Sequence, residues 1–314
     1  MMNFELKSGR GMRHTDVPRG LPAATLTAAL TLAVASAPTH AAWFADGTLE
    51  SSYDSNPALA ETPADIEGEM SVGARVSGGW YQQLTDRIGL SATADVAGEH
   101  HAQFTGLDYV GIGGSVSLRG KLGLGVNAPW WKIGGNLMAR DYDFDLRDGL
   151  HYGASASVGK RIGERLSVDL KYAYDGRRSD EAVDVPIVVQ LFGIGGGAFD
   201  LDGDTVSFGA TYDFTERFAV SARYSHRWGL VCSSTRIYLP ALLASTAVNF
   251  DPVFGVDRVA YTGPAETDFY NINFSYALSE HASLNAGYEY RDALFGGQFS
   301  YDGHVGRVSL RYSF

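Results

Sequence analysis

The chain has 314 residues, with 36 acidic against 25 basic (net charge −11), 38 glycines, 12 % aromatic residues and a single cysteine. One thiol excludes a disulfide framework or a Cys-based zinc site, and the acidic balance argues against nucleic acid, whose phosphates demand a basic stripe. A chain rich in glycine and aromatics at a mean hydropathy of −0.10 reads as all-β rather than as a helical enzyme.

The N-terminus reads as a cleaved signal peptide over residues 1–41. Lys7, Arg10, Arg13 and Arg19 supply a positive start, Ala28 to Ala37 an apolar core, and Thr39-His40-Ala41 a small-residue cleavage site. Residues 42–314 form the mature domain. Its longest uncharged stretches, Val185–Phe199 and Ile237–Phe250, are broken by Pro or Gly. Both fall short of the ~18 residues that read as a helical span.

From there the sequence alternates with a period of two. Leu166, Val168, Leu170, Tyr172 and Tyr174 interleave with Asp169, Lys171 and Asp175. Phe208, Ala210, Tyr212 and Phe214 interleave with Ser207, Thr211 and Asp213, and Val220, Ala222 and Tyr224 with Ser221, Arg223 and Ser225. Tyr270, Ile272, Phe274 and Tyr276 interleave with Asn271, Asn273 and Ser275, and Val308, Leu310, Tyr312 and Phe314 with Arg307, Ser309, Arg311 and Ser313. Successive strand side chains point to opposite faces, so each segment has an apolar and a polar face. Aromatics gather at the ends of the apolar face, as in a lipid-facing band with interfacial girdles.

Short turns of one plan separate these segments: Leu84-Thr85-Asp86-Arg87-Ile88, Ile162-Gly163-Glu164-Arg165-Leu166, Phe214-Thr215-Glu216-Arg217-Phe218 and Leu278-Ser279-Glu280-His281-Ala282. They alternate with longer connections at 54–68, 102–108, 144–150, 176–204, 232–267 and 293–303. Strands are predicted at 43–53, 69–84, 87–101, 109–124, 130–143, 151–161, 166–175, 205–214, 217–231, 268–278, 282–292 and 304–314. The expected architecture is a transmembrane antiparallel up-and-down β-barrel of twelve strands, with ten or fourteen as alternatives. A closed sheet is the strand architecture that pairs every backbone polar group within hydrocarbon.

The final run, Gly306-Arg307-Val308-Ser309-Leu310-Arg311-Tyr312-Ser313-Phe314, resembles the C-terminal strand of Gram-negative outer-membrane barrels. That resemblance implies an outer-membrane location, contact with membrane lipid and lipopolysaccharide, and Tyr312 and Phe314 as a signal for the barrel-assembly machinery. Tyr53-Asp54-Ser55-Asn56-Pro57 resembles a segment of barrels associated with exopolysaccharide secretion and surface-lipoprotein assembly. The lipoprotein-assembly barrels carry a helical repeat domain ahead of the barrel, for which this chain has no counterpart.

By parity, Arg75, Arg119, Lys121, Lys132, Arg140, Lys171, Arg223, Arg227, Arg291, Arg307 and Arg311 point inward. Asp46, Glu50, Asp95, Asp169, Asp175, Asp213 and Glu289 join them. These are the candidate lumen-lining residues, mildly basic in balance. They describe either an aqueous path favouring anions or a narrow lumen plugged by paired charges. Asp200, Asp202 and Asp204 are a weak metal candidate, because the glycine and closing glutamate of a calcium loop are misplaced or missing. Asp141, Asp143, Asp145 and Asp148 form a second acidic cluster. No cofactor is called for. His100, His101, His151 and His304 gather at the long-loop rim, where a hydrolase would place a general base, but no hydrolase motif accompanies them. Three readings follow: a narrow pore or exporter-associated channel, with anionic saccharides as the solute class; a non-conducting barrel whose loops are a binding or scaffold surface; and a rim hydrolase. The non-enzymatic pore is preferred.

Overall fold

In a computed structural model the described residues are 41–180 and 197–314. The apolar stretch Pro186–Phe192 and residues 1–40 of the expected signal peptide lie outside them; Ala41 opens the first strand. The strands are β1 (Ala41–Asp54), β2 (Glu69–Thr85), β3 (Ile88–His101), β4 (Tyr109–Lys121), β5 (Trp130–Tyr142), β6 (Gly149–Ile162), β7 (Leu166–Ser179), β8 (Leu201–Asp213), β9 (Phe218–Arg236), β10 (Ala247–Phe250), β11 (Arg258–Ala277), β12 (Ala282–Phe295) and β13 (Phe299–Ser313). A short helix, α1 (Leu239–Ala244), lies between β9 and β10.

Each neighbouring pair is antiparallel. The ring closes twice out of simple sequence order, where β1 pairs with β13 and where β9 pairs with β11, leaving β10 outside a twelve-strand barrel. The register keeps the two faces apart. Val76, Val96, Ile112, Ala139 and Leu150 lie in one row across five strands on the lipid side. Tyr224, Tyr270, Tyr290 and His304 form another row across four, with the rings of Tyr224 and Tyr270 5.3 Å apart. Large apolar side chains on this face, such as Val76, Ile112 and Leu170, are half exposed or more, as a wall in contact with acyl chains requires. Among the described residues no helix is long and apolar enough to cross a membrane.

The strand count is as expected, but the long-loop rim is more ordered than alternation suggests. β11 begins at Arg258, ten residues before the predicted start, and β9 runs to Arg236. The predicted loop 293–303 shrinks to 296–298, because β12 and β13 continue into a tight hairpin. Gly296 and Gly297 take φ of +56° and +70° there, a region open to glycine at little cost. The physical reason is burial on both faces. Val259, Ala260, Tyr261 and Thr262 are all buried, so the segment reads as a continuous run rather than an alternating one. Val259 and Tyr261 pack with α1, Val231, Val248, Phe295, Phe299 and Tyr301. Ala260 packs on the opposite face with Ala198, Phe199 and Ala247.

Phe295 is fully buried at the centre of the first of these clusters. Phe295→Ala is expected to cost about 3–5 kcal/mol of local packing. Limited proteolysis of the folded barrel should then cut within 237–257 first, while the barrel strands stay protected.

Candidate functional site

The inner face is set by the same parity, and its charges are divided by position. On β1–β3 it carries Asp46, Glu50, Asp54, Glu69, Asp95 and Glu99, with Arg75 among them. On β4–β7 it carries Arg119, Lys121, Lys132, Arg140, Arg161, Lys171 and Arg177, with Asp169 and Asp175. An acidic arc therefore adjoins a basic arc. Most remaining inner charges are paired: Arg223 with Asp169 at 2.8 Å, Arg227 with Asp175 at 3.1 Å, Arg161 with Asp213 at 3.2 Å, Arg311 with Asp46 at 3.3 Å, Arg307 with Glu289 at 3.6 Å, and Arg291 with Asp54. Some of these pairs reach over an intervening strand. Gly209 lies in register between Asp169 and Arg223, where a Cβ would stand 2.6 Å from the guanidinium. Only glycine leaves that path clear.

The basic arc contains a row without such partners. Arg119, Lys132, Ser157 and Lys171 lie opposite one another across β4, β5, β6 and β7. Lys121, Lys132 and Lys171 have no ion-pair partner among the described residues, and Arg119 has only the Trp130 ring, 5.4 Å from its guanidinium. Like charges directly opposite across strands are destabilising. A cavity of about 770 Å³ opens at the short-turn rim, lined by residues that include Arg161, Arg165, Arg217, Asp213 and Asn285.

The opposite rim is bridged by loops. Residues 55–68 cross to β9, where Ser234 N donates to Ala58 O at 2.8 Å and Ser233 Oγ to Leu59 O at 2.7 Å. Asn56 turns this loop inward: its amide donates to Ala60 O and Asp302 O, and its carbonyl accepts from Ala60 N. Asp65 is buried and accepts from Thr235 Oγ1 at 2.5 Å, while Arg236 and Arg258 bind its Oδ1 at 2.7 and 2.5 Å. Asp251, fully buried, binds Arg147 of the β5–β6 loop and Ser234, both at 2.5 Å. Phe104 and Phe254 meet edge to face at 4.8 Å. These contacts tie four loops into a cap.

Compared with solved structures, the chain is similar to an outer-membrane channel from Pseudomonas putida F1, at 13 % identity and a TM-score of 0.56, over 89 % of this chain and 97 % of that one. The chain folds as an outer-membrane β-barrel. It is also similar to the KdgM porin (11 % identity, TM-score 0.40, 85 % and 99 % covered) and to the NanC porin (10 %, 0.45, 85 % and 98 %). No protein-family model and no curated protein matches the sequence.

In this barrel the predicted lumen residues, from Arg75 to Arg311 and including Asp95, lie on the face opposite the lipid-side apolar rows. Asp95 accepts from Ser77 Oγ at 2.6 Å. Sequence reasoning missed Asp54, Glu69, Glu99, Arg161 and Arg177 on the same face, because they lie at strand ends where loop and strand look alike. With them the basic excess narrows. The weak metal candidate does not assemble: Asp200 accepts from Ser179 N at 2.7 Å, whereas Asp204 binds the Tyr172 hydroxyl on the lipid side. Among the described residues no three His, Cys, Asp or Glu side chains converge on a cation. The histidines scatter too. His100 binds Asp108 at 2.5 Å, His304 binds the Tyr288 hydroxyl at 2.7 Å, and His101 sits between Glu69 and Glu99. Asp141 points outward, away from both His101 and His151. The Tyr53–Pro57 segment acts here as the inward turn of the first loop, with Asp54 accepting from Asn56 N and Ser55 Oγ from His304 N, each at 2.9 Å. The cap charges Asp65, Arg147, Asp251 and Arg258 carry no sequence signal, since their partners lie up to 193 positions away.

Asp65 supplies a pH response. Burial raises its pKa, but hydrogen bonds from Thr235, the Arg236 amide and Arg258, with the Arg258 charge, outweigh that and hold it below the ordinary carboxylate value. Its stabilising contribution is therefore present above about pH 4 and lost as pH falls through the lower folded value. Protease sensitivity of residues 55–68 is expected to stay flat from neutral pH down to about pH 4 and rise below it. Asp65→Asn should be sensitive already at neutral pH and lose this component of the acid step.

Proposed function

We propose that this barrel is a narrow outer-membrane pore for anionic solutes, with saccharides bearing carboxylate or phosphate as the solute class and residues 1–41 as its export leader. The observation that carries the reading is the unpaired row Arg119–Lys132–Lys171, in register on the inner wall. Cations facing one another without carboxylates are costly in an isolated fold and useful where an anion passes, because charged linings set pore selectivity. A second reading, a non-conducting barrel whose loops form a binding surface, draws on the cap and its buried Arg147–Asp251 pair.

Planar-bilayer recordings separate the two. The refolded barrel should conduct and prefer chloride over potassium, judged by its reversal potential in a salt gradient. Lys132→Glu and Lys171→Glu should each lower the anion-to-cation permeability ratio by roughly fivefold or more, the effect of a two-unit charge change about 8 Å from the ion path in water. A barrel that never conducts supports the second reading. Conduction with a ratio that ignores both reversals removes the basic row from the mechanism.

A further inference from the structure

On the acidic arc, beneath the cap, lies a cavity of about 300 Å³ bordered by Glu50, Glu69, Glu99, His101 and Arg307. It shares Glu50, Ser52, Ser71 and Glu99 with a second cavity of about 230 Å³ that reaches Arg75. Four carboxylates thus face one space, and Asp54 among them is taken by Arg291. Glu69 is the most constrained: its side chain is 2 % exposed, Oε1 accepts from Gln103 N at 3.0 Å, and Oε2 has no hydrogen-bond partner. Glu99 accepts from Ser71 Oγ at 2.6 Å, and Ser71 is linked to Ser52 at 2.8 Å. Glu50 has neither hydrogen bond nor ion pair among the described residues.

The cations at hand do not complete this set. The His101 ring nitrogens stand 3.8 Å from Glu69 and from Glu99, beyond hydrogen-bond reach, and Nδ1 is unpartnered. Arg307 is engaged by Glu289 at 3.6 Å. Arg75 has no carboxylate within ion-pair distance among the described residues. A buried carboxylate oxygen without a donor is costly, and neighbouring carboxylates compound the cost unless a cation joins them. The described carboxylates and histidines do not converge as a metal site requires. The space suits a larger, multiply donating cation.

We propose that this cavity binds the cationic head of a small solute, an ammonium or guanidinium group held by Glu50 and Glu99 next to the buried charge of Glu69, with the solute's polar remainder directed toward Arg75. An ammonium has three donors and a guanidinium five, enough for Glu50 and Glu99, while Glu69, buried behind them, adds its negative charge. The site does not depend on the pore reading: a barrel that passes no current would still bind the solute.

The test is ligand-observed NMR on the refolded barrel in neutral buffer, with aminobutanol, butanediol of the same length, and calcium as probes. Aminobutanol should bind and butanediol should not. Glu50→Gln, which disturbs no contact, should weaken aminobutanol by about tenfold or more, the loss of one charge-assisted hydrogen bond. Glu69→Gln provides a second variant, each checked for native folding by circular dichroism. Glu280→Gln, on a turn at the opposite rim, should leave binding unchanged. Equal binding of amine and diol, binding that survives both variants, no amine binding at all, or binding of calcium alone would each overturn the proposal. Because bilayer conductance is read separately, failure here leaves the pore reading standing, and the converse holds as well.

Discussion

The constraint on which everything else depends is that no backbone N–H or C=O may be left unpaired in hydrocarbon. A sheet meets it only by closing. This chain closes where β13 returns to β1 and where β9 meets β11 along nineteen register pairs, from Arg258–Arg236 to Tyr276–Phe218. Closure then dictates the faces. One residue in two belongs to lipid, and the other half must fill or line a twelve-strand interior. That is why rows such as Val76–Val96–Ile112 can be large and apolar, while the inner wall alternates serine, glycine and charge.

The interior has too little room for its long side chains unless some neighbours are absent. Gly209 beneath the Asp169–Arg223 pair, and Gly303, whose Cβ would fall 2.7 Å from Arg291, show the solution. Glycine weakens a strand by itself, but here it lets an arginine lie flat across the sheet to a carboxylate beyond. At the long-loop rim the same economy of space takes another form. Asp251 and Asp65 are buried charges whose partners come from another loop and from the extended ends of β9 and β11, so removing a charged partner strands a charge and costs several kcal/mol. The cap is thus held by pairs that stabilise only while all its loops are in place.

Period-two patterning made the strand number and the two faces of the strand interiors readable, because a lipid-facing wall enforces alternation with few exceptions. Patterning failed where lipid ends. Val259 to Thr262 is buried on both faces, so no alternation marks it as strand. β10 is four residues between buried clusters, and Glu69 and Glu99 sit where strand passes into loop. The cap ion pairs were illegible for a different reason. Asp65 binds Thr235, Arg236 and Arg258, and nothing local in Thr62-Pro63-Ala64-Asp65 encodes partners so distant in sequence. The Tyr53–Pro57 segment stands out in sequence as a resemblance. In the fold its role is mechanical: Asn56 satisfies its own loop and ties it to β13.

Net charge and charge placement answer different questions. A net charge of −11 does not describe what a solute would meet, because the inner-face charges are grouped by sign along the wall. The acidic residues of β1–β3 and the basic residues of β4–β7 lie side by side, so the field runs across the lumen rather than along it. The first and second long loops together roof the acidic arc: Gln103 of the β3–β4 loop reaches Glu69 through its N–H and Glu67 through its side chain, and Asn56 of the first loop folds over from Asp54. Carboxylates under that roof are shielded from bulk water while the basic row, farther toward the short turns, is not. The inner wall is thus divided in solvent exposure as well as in sign.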